Sequence, residues 1–316
     1  MIDHCGRSID YLRISITDRC NLRCVYCMPE GGVQSFRHED VLSYEEIVRV
    51  VRQAAALGVK HLRVTGGEPM ARKGCLELVD MLHHIPGIET IALTTNGLLL
   101  DGRIAEAKAK GLTSLNISMD SVDAETFRAM TRGGDVNTVL RVIDEALAAG
   151  LKVKINAVLI GGFNDDEIET LAALTLRYPV DVRFIELMPM LDHPEFGPEA
   201  FIPCAAVLEK LPQAVPVPQD GGVARLYRLP GAQGNIGLIS PVSAHFCAAC
   251  NRIRLTADGK LKPCLHAAEE VSLKGLNAAQ MRETMQRVIY QKPFRHAELS
   301  ATLHSQAGRN MNQIGG

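Results

Sequence analysis

What the sequence lacks narrows the field first. It has no surplus of one charge: 34 basic and 36 acidic residues leave a net charge of −2. No overall field therefore draws the chain to nucleic acid or to an anionic membrane, and any anionic ligand must be held by local basic clusters. No run reaches the roughly eighteen uninterrupted apolar residues that span a bilayer. The opening "MIDHCGRSID" lacks the basic, apolar and small-residue regions of a secretory leader. There is no internal repeat and no low-complexity tract. With 47% apolar and 22% charged residues, the composition sustains a buried core and excludes disorder. The expectation is a cytosolic protein with reduced cysteines, no nucleic-acid partner and no membrane partner.

What is present is a strand–helix rhythm. Strand-like runs are "YLRISIT" (11–17), "HLRVT" (61–65), "TIALTTN" (90–96), "SLNISMD" (114–120), "KVKINAVL" (152–159) and "VRFIELM" (182–188). Helical periodicity fills 43–58, 137–150 and 165–178, with Ser43 and Asp165 placed as N-caps and Gly58 and Gly150 as stops. Strands alternating with helices predict parallel strands joined by right-handed crossovers, an α/β architecture.

The strands also alternate internally. Leu12 and Ile14 are interleaved with Arg13 and Ser15, Leu62 and Val64 with Arg63 and Thr65, and Val153 and Ile155 with Lys154 and Asn156. Parallel strands covered by helices on both faces read as unbroken hydrophobic runs, and these do not. One face meets helices, and the other is polar. A solvated sheet face is one reading; a curled sheet whose polar face becomes a wet, partly cationic lumen is the one adopted. Arg13, Arg63 and Lys154 then point into that lumen.

The rhythm breaks near residue 190, in the proline- and glycine-rich "MPMLDHPEFGPEAFIP", and "LPQAVPVPQDGG" (211–222) reads as a connector. The predicted division is 1–222 and 223–316. The second part holds short strands around "VARLYRL" and "NRIRLTADGKLKPC" and a helix near 278–290.

Of nine cysteines, Cys20, Cys24 and Cys27 form C-x3-C-x2-C just past the first strand, and Cys247, Cys250 and Cys264 form C-x2-C-x13-C. Cys5, Cys75 and Cys204 are scattered and receive no role. Thiolates suit zinc or iron–sulfur clusters. A structural zinc site needs four ligands. His245 and His266 flank the second trio and keep a Cys3His zinc site open there. Three thiolates on a 4Fe–4S cubane instead leave one iron without a protein ligand, free to bind a small molecule.

C-x3-C-x2-C at the end of the first strand, with Tyr26 before its last cysteine, resembles the signature of the radical S-adenosylmethionine superfamily. "GGEP" (66–69) matches that family's contact to the methionine amino group, with Glu68 as a source of charge. Read alone, "GGEP" is equally a tight strand-to-helix turn. "LRISITDRCNLRCVYCMP", "LRVTGGEPMARK", "LTTNGLLL", "NISMDSVDAETF", "GNIGLISPVSAHFCAACNRIRLTADGKLKPCL" and the terminal "IGG" together resemble the MoaA-type GTP 3′,8-cyclases of molybdenum-cofactor biosynthesis. The likeness runs over almost the whole chain and is weakest from about 190 to 230.

The resemblance implies a partial (β/α)6 TIM-like barrel with a C-terminal α+β extension, two 4Fe–4S clusters, S-adenosylmethionine and GTP. Each cysteine trio would hold one cluster, the first binding S-adenosylmethionine at its open iron and the second binding guanine. Tyr26, Gly67, Ser118 and Met188 stand at contacts to the cosubstrate. Arg13, Arg63, Thr94, Lys154, Arg252 and Arg254 stand at contacts to GTP, where arginine's planar fork suits phosphate oxygens. Arg183 aligns near the substrate, and Gly315 and Gly316 with a tail that enters the active site. Also implied are hydrogen abstraction from C3′ of GTP, closure onto C8, an external one-electron donor and a downstream MoaC-type enzyme. A homodimer is left open.

The chain departs from the family at His61, where lysine is usual, and in "MPMLDHPEFG", so no substrate contact is carried over to that segment. Two other readings stay open: a radical enzyme acting on a peptide, and a zinc-stabilised binding protein without turnover.

Overall fold

The computed structural model describes residues 1–190, 196–218, 222–300 and 303–315. Six strands, β1 (Tyr11–Ser15), β2 (His61–Thr65), β3 (Thr90–Thr95), β4 (Ser114–Ser118), β5 (Lys152–Leu159) and β6 (Asp181–Glu186), pair parallel in chain order. Helices α1 (Tyr44–Ala56), α2 (Cys75–His83), α3 (Ile104–Ala109), α4 (Ala124–Thr131), α5 (Val136–Ala148) and α6 (Ile168–Arg177) lie between them. The expected spans of β2 and β5 hold as read, and the other four strands shift by one or two residues at an end.

The internal alternation sets the layering. Leu12, Ile14, Leu62, Val64, Leu93, Leu115, Ile117, Val153, Ile155 and Phe184 are buried on the outer face, beneath the helices. Each such side chain contributes about 2 kcal/mol by leaving water. In α1, Ile47, Val48, Val50, Val51 and Ala54 form the stripe that covers them. Ser43 caps this helix as expected: its hydroxyl takes the Glu46 N–H while Glu46 Oε2 takes the Ser43 N–H, a reciprocal box. Gly58 follows with φ of +94°, in the left-handed region that stops a helix.

Asp165 does not cap α6. The helix starts at Ile168 with Glu167 in the cap position and no side-chain cap. Asp165 Oδ1 is taken instead by the Gly162 N–H across a tight turn, and Glu167 is drawn to Ser121 and the Val122 N–H. Local side-chain bonding in the preceding loop won over capping.

The C-terminal part continues the same sheet. It comprises α7 (Ala205–Lys210), β7 (Val215–Pro216), β8 (Arg225–Arg228), β9 (Ile236–Ile239), β10 (Arg252–Leu255), β11 (Lys260–Lys262), β12 (Val271–Ser272), α8 (Ala278–Tyr290) and α9 (Met311–Ile314). β9 adds to β6 and β10 adds to β1, both parallel, giving the order β12-β11-β10-β1-β2-β3-β4-β5-β6-β9-β8-β7. The expected partial barrel is present, extended at one edge by β9, β8 and β7 and at the other by β10, β11 and β12. No helix among the described residues is long and apolar enough to cross a membrane.

Candidate active site

The first cysteine trio sits on the loop after β1, and the loop after β2 holds it there. Gly67 N–H donates to Thr17 O at 2.7 Å and Glu68 N–H to Arg19 O at 2.8 Å. This approach demands glycine: a Cβ at Gly66 would lie 2.5 Å from Thr17 O, and one at Gly67 would lie 2.5 Å from Arg19 O. Glu68 lines the lumen and is also tied to the protein around it. Oε1 accepts from Met70 N–H and the Thr95 hydroxyl and Oε2 from Asn96 N–H, so the carboxylate braces β3 against the loop. Its burial raises the carboxyl to about 7, against the pull of those donors.

Cys20, Cys24 and Cys27 line one cavity of ≈260 Å³, and burial raises all three thiols, Cys27 to about 12. At neutral pH such thiols ionise when a bound cation supplies the missing charge. Among the described residues, the group whose three ligand atoms fall within 4.8 Å is His245, Cys247 and His296; neither cysteine trio is drawn that tight. Three buried thiols gathered on one loop suit an iron–sulfur centre, and the donor set fits it.

Tyr26, Gly67, Ser118 and Met188 line the same cavity, as do Arg13, Arg63, Thr94, Arg183, Arg252 and Arg254. The register explains the gathering: Arg13 pairs with Arg63 across β1–β2 and with Arg254 across β1–β10, while Arg252 stands opposite Tyr11. Arg63 Nε donates to the Tyr11 hydroxyl at 2.8 Å, and the guanidinium groups of Arg63 and Arg252 lie 5.6 and 5.7 Å from that ring's centre. Lys154 shares the lumen face beside Arg183 without lining the cavity itself. His61 bonds Thr90 Oγ1 through Nδ1 at 2.9 Å, at the bottom of the same face.

The cations crowd one another. Burial first, then Arg254, Arg63 and Arg252, push Arg13 well down. Burial and Arg252 bring Arg254 to about 10; burial and Arg63 bring Arg183 to about 10; burial and Arg183 bring Lys154 to about 8. The buried Nε atoms of Arg183 and Arg252, and Thr94 Oγ1, have no hydrogen-bond partner among the described residues. Asp181, 3.9 Å from Arg183, is the carboxylate paired with this group among the described residues.

The second trio lies behind the opposite wall. Its neighbours Phe246 and Leu265 line the cavity, and Cys250 and Cys264 both act on Arg254. Burial would raise the Cys250 thiol, yet Lys292, the Arg252 N–H and the arginines hold it below its ordinary value. The imidazoles of His245 and His266 each lie within 4.7 Å of the His296 ring.

Gly315 reaches the lumen floor: Arg254 Nη1 donates to its carbonyl, and a Cβ there would touch Thr65 and Ser15. Gly316 lies outside the described residues. Sequence reasoning missed Asp120, Asn156 and Asn312, all lining the cavity. Asn156 follows from the strand alternation already used for Lys154. Asn312, on α9, comes to the Cys27 thiol through its backbone N–H, which no side-chain pattern reports.

Residues 14–175 match the family described as the Radical SAM superfamily, and residues 180–298 the one described as Molybdenum Cofactor Synthesis C. Proteins named GTP 3′,8-cyclase from Alkaliphilus metalliredigens, Alkaliphilus oremlandii and Pelotomaculum thermopropionicum are 48%, 46% and 47% identical, over 100% of both chains in each case. The crystal structure of Streptococcus suis SuiB bound to S-adenosylmethionine is similar in fold, with a TM-score of 0.64 at 16% identity over 91% of this chain and 67% of that one.

Proposed function

Because the chain belongs to the radical S-adenosylmethionine superfamily and, within it, to the GTP 3′,8-cyclases, we propose that its lumen seats S-adenosylmethionine and GTP together, between two cysteine trios. The enzyme cleaves S-adenosylmethionine reductively to methionine and a 5′-deoxyadenosyl radical, the radical removes H3′ of GTP as 5′-deoxyadenosine, the C3′ radical adds to guanine C8, and one further electron and a proton quench the purine radical that results. The product is 3′,8-cyclo-7,8-dihydroguanosine 5′-triphosphate, and this is the first step of molybdenum-cofactor biosynthesis.

Two 4Fe–4S clusters, when bound, supply the electron and the open iron positions on which the cosubstrate and the guanine sit. In this reading Cys20, Cys24 and Cys27 hold the first, and Cys247, Cys250 and Cys264 the second. Tyr26, Gly67, Ser118 and Met188 enclose the cosubstrate. Arg13, Arg63, Arg183, Arg252 and Arg254, with Lys154 beneath, hold the triphosphate, and Thr94 contacts the nucleotide. Gly315 and Gly316 close the site from the tail.

One observation carries the substrate class: Arg63, Arg183, Arg252 and Arg254 crowd one cavity as mutually repelling cations, and among the described residues Asp181, 3.9 Å from Arg183, is the carboxylate ion-paired with these four. Buried charge of one sign persists where a ligand of the other sign completes it. A nucleoside triphosphate does that; a neutral peptide does not.

The same reading includes an external one-electron donor, a MoaC-type enzyme for the product, a cytosolic setting and a division near residue 222, and it leaves a homodimer open. The test is anaerobic reconstitution with iron and sulfide, then S-adenosylmethionine, dithionite and GTP. About eight irons per chain, 5′-deoxyadenosine and a cyclised nucleotide are expected. Zinc in place of iron, or 5′-deoxyadenosine without cyclised nucleotide, overturns the reading.

A further inference from the structure

Two buried lysines stand near the second cysteine trio, and they differ in one respect. Lys262 Nζ donates to Ala267 O at 2.7 Å and to Glu270 Oε1 at 3.0 Å, so a carboxylate neutralises it. Lys292, just past α8, is 2% exposed, and its Nζ donates to Arg252 O at 2.8 Å and Pro263 O at 2.6 Å. Both acceptors are neutral carbonyls. Among the described residues no carboxylate pairs with Lys292.

Those two carbonyls are not arbitrary. Arg252 lies two residues beyond Cys250, and Pro263 immediately precedes Cys264. One ammonium thus ties together the two segments that bring the trio's sulfurs to one place. A second brace comes from the other end of the chain: Arg7 donates to Cys247 O at 2.9 Å and to the carbonyls of Lys292, Pro293 and Phe294 at 3.1, 2.8 and 3.1 Å. Arg7 has its own counterion in Asp3, at 2.6 Å. Lys292 has none.

A buried cation is strongly unfavourable without an anion. A cubane held by three thiolates carries net negative charge, which grows by one on reduction. We propose that Lys292 is a positioning residue for the second cluster: it aligns both ligand segments, and its charge is the counterion that stabilises the reduced state. The proposal rests on Cys247, Cys250 and Cys264 being the ligands, and the experiment separates the two ideas.

The background is the full chain with Cys20→Ala, Cys24→Ala and Cys27→Ala, reconstituted anaerobically so that only the second trio can hold iron. About four irons per chain and a reduced-state EPR signal are expected. A background without iron overturns the ligand reading, and the proposal with it. Lys292→Met, Lys292→Gln and Lys292→Arg are then titrated in this background. Gln keeps hydrogen-bond donors and loses the charge, so it decides the matter if Met prevents assembly. The neutral variants should shift the reduction equilibrium at least tenfold toward the oxidised form, a potential lower by about 59 mV for one electron. Lys292→Arg should stay within threefold of the parent. A neutral variant with the parent potential, or an Arg variant displaced as far as the neutral ones, overturns the proposal while leaving the ligand set standing.

Discussion

The Tyr26 hydroxyl donates to Asp120 Oδ2 at 2.9 Å, fastening the cysteine loop to the end of β4. The other carboxylate oxygen takes the Val158 N–H at 2.8 Å. Burial raises the Asp120 carboxyl to about 6, with those two donors pulling the other way. Folded Asp120 therefore holds a proton more tightly than it does in the unfolded chain, where its value is near 3.8. Its contribution to stability is full below that value, declines as pH rises toward 6 and stays low above. Asp120→Asn removes the decline. In cluster-free, reduced protein, the variant should gain about 1–3 kcal/mol on the parent between pH 4.5 and pH 8. Urea unfolding at both pH values reads this, and an equal difference at the two refutes it.

Arg252 offers a case where function and stability move in opposite directions. Its side chain repels Arg13 and Arg254, and its Nε has no hydrogen-bond partner among the described residues. Arg252→Gln should raise the KM for GTP about tenfold or more, from the loss of a charged hydrogen bond of about 1.5–3 kcal/mol. The ligand-free protein should melt no lower than the parent, because a like-charge repulsion goes with it. An unchanged KM counts against a phosphate contact.

Cys264→Ala should separate the two halves of the reaction. With the first trio intact, reduced enzyme still yields 5′-deoxyadenosine from S-adenosylmethionine, uncoupled from substrate, while the cyclised nucleotide disappears. Product analysis by chromatography checks this. Parallel loss of both would mean that the cysteine trios do not divide the labour.

Gly67→Ala tests the loop contact. The added methyl would sit 2.5 Å from Arg19 O and 2.7 Å from Asp18 O, so the backbone beside Cys20 must move. A drop in S-adenosylmethionine affinity of at least tenfold should follow, together with a changed EPR signal from the first cluster. Gly31→Ala is the control: nothing lies within 4 Å of its added carbon, and its effect on stability should stay within about 0.5 kcal/mol. Equal behaviour of the two variants would refute the argument.

Much of this was legible in the sequence because a strand's period of two is rigid. Once Leu12 and Ile14 belong to the core, Arg13 has one direction left, and the same logic delivered Arg63 to the same cavity. The cysteine spacings were legible for a different reason: ligands near in sequence need little folding to meet. What escaped depends on long-range backbone geometry. Lys292 acts on carbonyls forty and twenty-nine positions away, and a carbonyl has no letter in the sequence. Asp165 misled because capping competes with turn bonding, and the turn at Gly162 took its oxygen. The joining of β9 and β10 to the outer edges of β6 and β1 left no mark in either partner's pattern, since edge and central strands alternate alike.

The pairing of β10 with β1 has a consequence for how the molecule is made. A chain leaving the ribosome exposes β1 well before β10, and one side of that strand finds its neighbour only after residues 16–251 have been synthesised. Until then Arg13 lacks Arg254 alongside it, and the cavity lacks a wall. Iron delivered to the nascent amino-terminal loop would meet a half-built pocket open to oxygen and water. Maturation of the metal centres is thereby tied to the last stage of folding rather than to the first appearance of their ligands.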